Sequence, residues 1–352
     1  MTRRSALGLL GLSGAGMLLR FPVPVFASDP LRLGVDAASL GSWPLLVAAD
    51  RGYLKDEGLA FRLVPFADEV AMAGALAAGE LDVGILPTPR FLALHVGAQG
   101  PRRPLVTFQV SLTDGSALVV PAASELRYSR QLRGKTIGTP QPLGMARFLT
   151  GVYLVLSGLT PGPHVRLQDV DPQDALAALR AGRIDALAAE AGLFAEAVER
   201  GEVRVMDSLH KVWTGHPAEL IAVGRDLWEA RPDTVAALAR ASLRGARDLI
   251  AFSPRLPDSL TARLGTSAPA LVKAAEVTRA GFDPFPYRSA MDLALRELVT
   301  RGVIPPAVDQ DAVLAEAFLP DLCRRTMHEV GYPEVPDGND RDERLVGCCY
   351  VY

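Results

Sequence analysis

Few side chains in this sequence are grouped so that they could do chemistry together. The five histidines are scattered, and no Gly-rich phosphate loop, G-x-S-x-G elbow or H-E-x-x-H pair occurs. His95, His164 and His210 sit among surface-like neighbours without a pairing signal, so structural or solvated roles are expected of them. Soft ligands collect near the C-terminal end, as Cys323, His328, Cys348 and Cys349. Metal binding, a bridge from Cys323 to Cys348 or Cys349, and incidental thiols all stay open there. What the sequence offers instead is binding chemistry. Hydroxyls, an amide and small residues gather in four short segments: Ser39-Leu40-Gly41-Ser42-Trp43, Pro87-Thr88-Pro89, Thr139-Pro140-Gln141-Pro142-Leu143-Gly144 and Glu190-Ala191-Gly192. Helix starts with free backbone N–H groups can hold a small anion without lysine or arginine. The same residues also serve as ordinary caps and turns. An indole at Trp43 either walls a pocket or packs in the core.

Each of these segments follows an expected strand. Leu31 to Val35 alternates like a short strand, Pro44 to Tyr53 reads as a helix, and Leu59 to Pro65 as a second strand. Asp68 is placed to cap a helix that Gly79 stops, and Leu81 to Leu86 form a third strand. Strands alternating with helices of this length predict parallel βαβ units. The segment Asp68 to Asp82 recurs weakly as Asp171 to Asp185: an acid, an alanine-rich helix, an Ala-Gly stop, then an aliphatic-Asp pair. Two alanine-rich helices can match by composition alone. The neighbours of the second copy nonetheless fit the same pattern, with strands at Lys135 to Gly138, Val165 to Val170 and Asp185 to Ala189, and a helix from Leu143 to Ser157. Pro172 is expected at the first helical position, where its missing N–H costs nothing. Two similar α/β lobes follow, each a mainly parallel sheet flanked by helices, with ligands expected beyond the carboxyl ends of the strands. From Asp226 the pattern turns helical, with helices at Thr234 to Ile250, Ala268 to Ala280, Arg288 to Arg301 and Gln310 to Phe318 expected to wrap the first lobe.

The chain has 352 residues, 49% of them hydrophobic and 22% charged, which suits a globular protein of about two domains. Its net charge of −3 and lack of a basic run make it a poor polyanion binder, so nucleic acid is not an expected partner. Thr2-Arg3-Arg4-Ser5 leads into an uncharged run from Ser5 to Leu19, and Val25-Phe26-Ala27 ends in the small residues that a signal peptidase reads. Residues 1–27 are therefore expected to be a signal peptide cleaved after about Ala27, with paired arginines like those of a twin-arginine address. The apolar run is too short for a comfortable membrane span.

At the level of whole segments the sequence resembles a known family. "LRLGVDAASLGSWPLLVAADRGYLKDEGLAFRLVP", "AGALAAGELDVGILPTP", "LRGKTIGTPQPLGMARFLTGVYLVLSGLTPG" and "DPQDALAALRAGRIDALAAEAGLFAEAVERGEV" are similar, in order and spacing, to periplasmic substrate-binding proteins of ABC importers. The branch is the nitrate, sulfonate, taurine and bicarbonate group, including NMT1-like proteins. The likeness runs from about Leu31 to about Pro305. It implies a two-lobed α/β fold with two hinge crossings, a first lobe from residues 28–115 and 216–330, a second from 116–215, and a tail from 331. It implies a monomeric, cofactor-free receptor that captures a small anionic or zwitterionic nutrient and hands it to a membrane permease. On this resemblance Ser42, Trp43 and Thr88 fall in ligand loops of the first lobe, and Gln141, Gly144 and Glu190 in those of the second. Thr113-Asp114-Gly115 and Gly215-His216-Pro217 fall at the crossings, so Thr113 and His216 join the candidate site. Glu190 disfavours a multiply charged anion unless it is protonated or paired, with Arg225 as the expected partner. It better suits a ligand that also presents donors, such as an amino-sulfonate or a heteroaromatic amine stacked on Trp43.

Two other readings use the same fold. One is an enzyme such as the thiamin-pyrimidine synthases, which depend on a cysteine cluster and a histidine in the body that this sequence lacks. The other is a cytoplasmic ligand sensor, which conflicts with a signal peptide. Replacing Arg3 and Arg4 by lysine should block export through the twin-arginine route, because that address is read by a receptor. Fractionation showing undiminished export would return the segment to the ordinary secretory class.

Overall fold

The computed structural model describes residues 29–36, 39–98, 102–251 and 268–332. The expected signal peptide, Cys348 and Cys349 lie outside the described residues.

Two sheets organise the molecule. In the first, β1 (Leu31–Val35), β2 (Phe61–Pro65) and β3 (Val83–Pro87) run parallel in the order β2-β1-β3. They are connected through α1 (Trp43–Asp50), α2 (Tyr53–Asp56) and α3 (Glu69–Ala77), and α4 (Thr88–Val96) follows β3. Asp68 caps α3 as expected, accepting from the Ala71 amide at 2.8 Å. The second sheet contains β6 (Ser116–Pro121), β7 (Thr136–Thr139), β8 (Arg166–Asp169), β9 (Ala186–Glu190) and β10 (Val203–Ser208), in the order β10-β6-β9-β7-β8. Its helices are α5 (Met145–Leu156), α6 (Ala175–Arg180) and α7 (Ala191–Glu199).

The sequence repeat has a structural meaning. Asp82 accepts from the Arg32 amide at 2.8 Å and from the Arg32 guanidinium at 2.6 Å. Asp185 accepts from the Thr136 amide at 2.9 Å and from Lys135 Nζ at 3.0 Å. Each aspartate thus clips the start of the neighbouring parallel strand in its own lobe. The aliphatic residue before each aspartate fills the same place. A Cβ on Gly34 would fall 2.5 Å from Leu81 Cδ2, and one on Gly138 2.5 Å from Ile184 Cδ1. The helix start differs from expectation in the second copy. Asp171 accepts from the Gln173 amide at 2.8 Å, so it makes a turn, and α6 begins only at Ala175. Pro172 therefore lies in that turn and not at a first helical position.

Both sheets also hold antiparallel strands that alternation did not reveal. β11 (Pro217–Gly224) pairs antiparallel with β3, and with β4 (Leu105–Val106) and β5 (Val110–Thr113). β6 lies antiparallel between β9 and β10. All eight residues of β11 are buried, so it shows no in-out alternation.

The C-terminal segment comprises α8 (Arg225–Ala230), α9 (Pro232–Ala251), α10 (Ala268–Thr278), α11 (Arg288–Thr300), α12 (Gln310–Ala317) and α13 (Pro320–Glu329). α9 lies along α1 of the first lobe, whereas α10 packs on α7 of the second, its Leu271 and Ala274 sharing a core with Phe194 and Ala195. α13 had no counterpart in the sequence reading. Its Cys323 is buried and unbridged, with Sγ 3.6 Å from the Pro284 carbonyl, and burial pushes the thiol pKa up. Among the described residues no helix is long and apolar enough to cross a membrane.

The α1–α9 contact depends on Gly245. A Cβ there would fall 2.1 Å from the Pro44 carbonyl oxygen, a backbone atom that no rotamer change can move. Alanine would gain up to about 1 kcal/mol of helix propensity, but overpacking should outweigh it. Gly245→Ala is expected to lower stability by roughly 1–3 kcal/mol. Urea denaturation that shows an equally stable variant would refute this contact.

Candidate functional site

The two lobes meet where the chain crosses between sheets, and the crossings are built from short-range polar contacts. β5 runs into β6 through Asp114 and Gly115, with Asp114 at a left-handed φ of 57°. The Asp114 carboxylate accepts from the Gly215 amide at 3.1 Å and lies 3.0 Å from His216 Nδ1 and 3.1 Å from His210 Nδ1. His216 Nδ1 is also 2.8 Å from the Trp213 carbonyl, so this nitrogen carries a proton. Its Nε2 is buried and, among the described residues, has no hydrogen-bond partner. Thr113 exchanges two 2.8 Å backbone hydrogen bonds with Gly281, which brings the segment after α10 to the same place.

Beyond the crossing, strand register positions two acids. Ser116 stands opposite Glu190 in the β6–β9 ladder and donates to Glu190 Oε2 at 2.7 Å. Glu190 Oε1 accepts from the Ala146 amide, in the first turn of α5, at 2.9 Å. Glu219 stands opposite Pro87 in the β11–β3 ladder and accepts from Ser39 Oγ at 2.5 Å. Gly41 is required beside it, because a Cβ there would fall 2.0 Å from Glu219 Oε2. A third acid, Glu69 at the start of α3, pairs with Arg90 of α4.

Burial dominates the electrostatics. It pushes the Glu219 pKa up to about 8, against the Ser39 hydrogen bond and reinforced by Glu190, Asp36 and Glu69. Burial also raises Glu69, to about 7, despite Arg90. It raises Glu190 as well, opposed by Ser116, His216 and the Ala146 amide. For His216 burial opposes the charge, but contact with Asp114, the Trp213 carbonyl and nearby Glu190 outweighs it and the pKa rises.

The expected site residues divide into those near the crossing and those spent locally. Glu190 and His216 are close enough to affect each other's ionisation, and Thr113 adjoins them through Asp114. Gln141 and Gly144 form the turn that starts α5, with the Gly144 amide donating to the Gln141 carbonyl at 2.9 Å. Thr88 Oγ1 donates to the Pro217 carbonyl at 2.6 Å, tying α4 to β11. Ser42 Oγ accepts from the Asp36 amide at 3.0 Å and is fully buried. Trp43 is 2% exposed, stacked on Phe282 with ring centroids 6.5 Å apart, and its Nε1 has no partner among the described residues. Arg225 is not the partner of Glu190: it donates to the Glu316 carbonyl at 2.6 Å and reaches Glu229 at 3.4 Å. Two histidines expected among surface-like neighbours are placed otherwise. His95 is buried, its Nδ1 2.9 Å from the Leu105 carbonyl, and His210 faces Asp114.

Sequence reasoning missed Glu219, Ser116 and the Glu69–Arg90 pair, named Ser39 only as part of a loop, and placed Asp114 without its role. One signal for Glu219 was present: a single acid inside the apolar run Ala218 to Val223. Among the described residues, no group of three or more His, Cys, Asp or Glu could hold a metal ion.

Comparison with known proteins follows from this geometry. A model described as the NMT1-like family matches residues 28–251. The chain belongs to that family. Curated relatives include the nitrate import ATP-binding protein NrtC of Synechococcus elongatus, 27% identical over 213 residues and 57% of this chain. The bicarbonate transport ATP-binding protein CmpC of Synechocystis sp. is 24% identical over 214 residues, also 57% of this chain. The match spans about a third of the length of these relatives, 32% in each case. Among solved structures, the periplasmic nitrate-binding protein NrtA from Synechocystis PCC 6803 superposes with a TM-score of 0.75 at 16% identity, over 86% of this chain and 89% of that one. The alkanesulfonate-binding protein SsuA from Xanthomonas axonopodis pv. citri gives 0.67 at 21% identity, over 83% and 98%. The fold is the two-lobed fold of periplasmic binding proteins.

The raised acids fix the direction of pH dependence. Glu219, Glu69 and Glu190 bind protons in the folded state at pH values where the unfolded chain has lost them. His216, also raised, holds its proton above the pKa of an unfolded histidine. Stability from the three acids is therefore full below about pH 4.5 and is lost as pH rises, through about 7 for Glu69 and about 8 for Glu219, and that from His216 is lost above about pH 6.5. The melting temperature of the empty protein should fall between pH 5 and 8.5, and Glu219→Gln should flatten the fall. A profile that rises over this interval would contradict the assignment.

Proposed function

We propose that this protein is the solute-binding receptor of an ABC importer, working in the periplasm as a monomer and without catalysing a reaction. It captures a small molecule in the cleft between its lobes and delivers it to a membrane permease. The observation that carries this reading is the polar tie at the double crossing, where buried Asp114 holds Gly215 and His216, flanked along the strands by the Ser116–Glu190 pair of one sheet and the Ser39–Glu219 pair of the other. Family membership and the names of the relatives support it. The ligand is proposed to lie between the loops holding Ser42, Trp43 and Thr88 and those holding Gln141, Gly144 and Glu190, with Thr113 and His216 at the floor.

A ligand that touches both lobes binds the closed form better and shifts the population towards it. The purified mature protein, incubated with a small-molecule cell extract and dialysed, should retain a compound that mass spectrometry detects after denaturation. Adding that compound back should reduce the radius of gyration in X-ray scattering. Retention of nothing would sink the receptor reading, and retention without compaction would sink hinge closure.

A further inference from the structure

The lobes also touch away from the crossings, through one arginine. α11 packs on α4 beside the first sheet and ends at Arg301. The Arg301 side chain leaves its own lobe and reaches α5 of the second. Its Nη1 donates to the Phe148 carbonyl at 2.9 Å, and its guanidinium lies over the Phe148 ring, 4.7 Å from the centroid. Both contacts suit a largely buried guanidinium. A carbonyl keeps a second lone pair beyond its helical hydrogen bond, and a ring face attracts a cation. Glu297, one turn back on α11, steadies the group at 3.4 Å.

Glycine marks the other side of this contact. Gly151 stands in the interior of α5, where glycine is among the poorest helix formers and no turn asks for it. A Cβ there would fall 2.5 Å from Arg301 Nη1 and 3.2 Å from Cζ. The second lobe thus gives up helix propensity at a position that admits the arginine of the first.

The contact lies on the side of the cleft. α4 begins at the carboxyl end of β3 and α5 follows the carboxyl end of β7, where the candidate loops lie, and the two helices touch. The seam beside them is not sealed: a cavity of about 280 Å³ opens between α3 and α4, with Leu143, just before α5, on its wall. Swinging the second lobe away would draw α5 off α4 and break the Arg301 contact.

We propose that Arg301 is an interlobe latch, a positioning residue that holds α5 against α4 when the lobes are closed and so sets the balance between closed and open forms. This goes beyond the receptor reading, because it concerns the motion of the empty protein. A latch that favours closure without ligand also strengthens binding of whatever the closed cleft takes, since a larger fraction of the protein is competent to hold it.

The test is X-ray scattering and thermal melting of the mature protein, stripped of bound compounds by unfolding in urea and refolding. Arg301→Ala should raise the radius of gyration. Arg301→Lys can still donate to the Phe148 carbonyl and lie over its ring, so it should restore most of the parent value. Gly151→Ala should also open the protein, although alanine is the better helix former, because its methyl group displaces Arg301. The double variant should be no more open than Arg301→Ala alone, since both changes remove one contact. A radius unchanged in both single variants would overturn the latch, even if the melting temperature falls, and so would a double variant that opens by the sum of the two. Gly151→Ala carries the test if Arg301→Ala does not fold. The receptor reading is judged separately, by retention of a compound from cell extract. Retention by a protein whose variants do not open keeps the receptor and sinks the latch; opening without retention does the reverse.

Discussion

Asp114 is the tie on which the site depends. Its left-handed backbone is a conformation that aspartate tolerates better than most residues. That turn brings its carboxylate onto the Gly215 amide while its own amide donates to the His216 carbonyl at 3.0 Å. One residue thereby joins the crossing that leaves the first sheet to the crossing that returns. Both acids of the candidate site are placed from this point by strand register. Ser116, the first residue of β6, fixes Glu190 on β9, and β11, which begins just after His216, sets Glu219 opposite the end of β3. A crossing without the Asp114 tie would leave these registers intact within each sheet but unconnected between the lobes.

The two lobes are copies in their scaffold and differ in their polar fittings. Asp82 and Asp185 clip neighbouring strands in the same way, and Leu81 and Ile184 cover the same glycine position in each sheet. The acid at the cleft, however, sits at the end of parallel β9 in one lobe and on antiparallel β11 in the other. The repeat therefore accounts for the sheets and for where their strand ends face, while the acids come from outside it: Glu190 follows the second copy, and Glu219 lies on a strand that no copy contains.

That division explains how much the sequence reveals. Strands β1, β2 and β3, the Asp68 cap and the second-lobe βα units are local, and each is written in alternation, a capping residue or a stop glycine. β11 is not legible in this way, because burial on both faces turns it into a continuous apolar run like many others. Glu190 is reached as the residue that follows an expected strand, and His216 through the crossings that the family resemblance implies. The pairing of Ser39 with Glu219 could not be reached in this way, since the two are 180 residues apart and meet only through the β11–β3 register. Ser42 and Thr88 show the opposite limit. Hydroxyls at strand ends suit a ligand and a backbone tie equally well in sequence, and here both are used on the backbone.

Fold and ligand class are set by different parts of this chain. The backbone superposes on proteins whose names refer to nitrate and alkanesulfonate binding, at identities of 16% and 21%, low enough for the loops to have diverged freely. An anion site on this fold needs open helix starts and donors facing the cleft. In this chain Glu190 takes the Ala146 amide at the α5 start, and its charge helps to raise the pKa of Glu219 on β11. Burial disfavours the ionised form of both carboxylates, and the pKa of each rises.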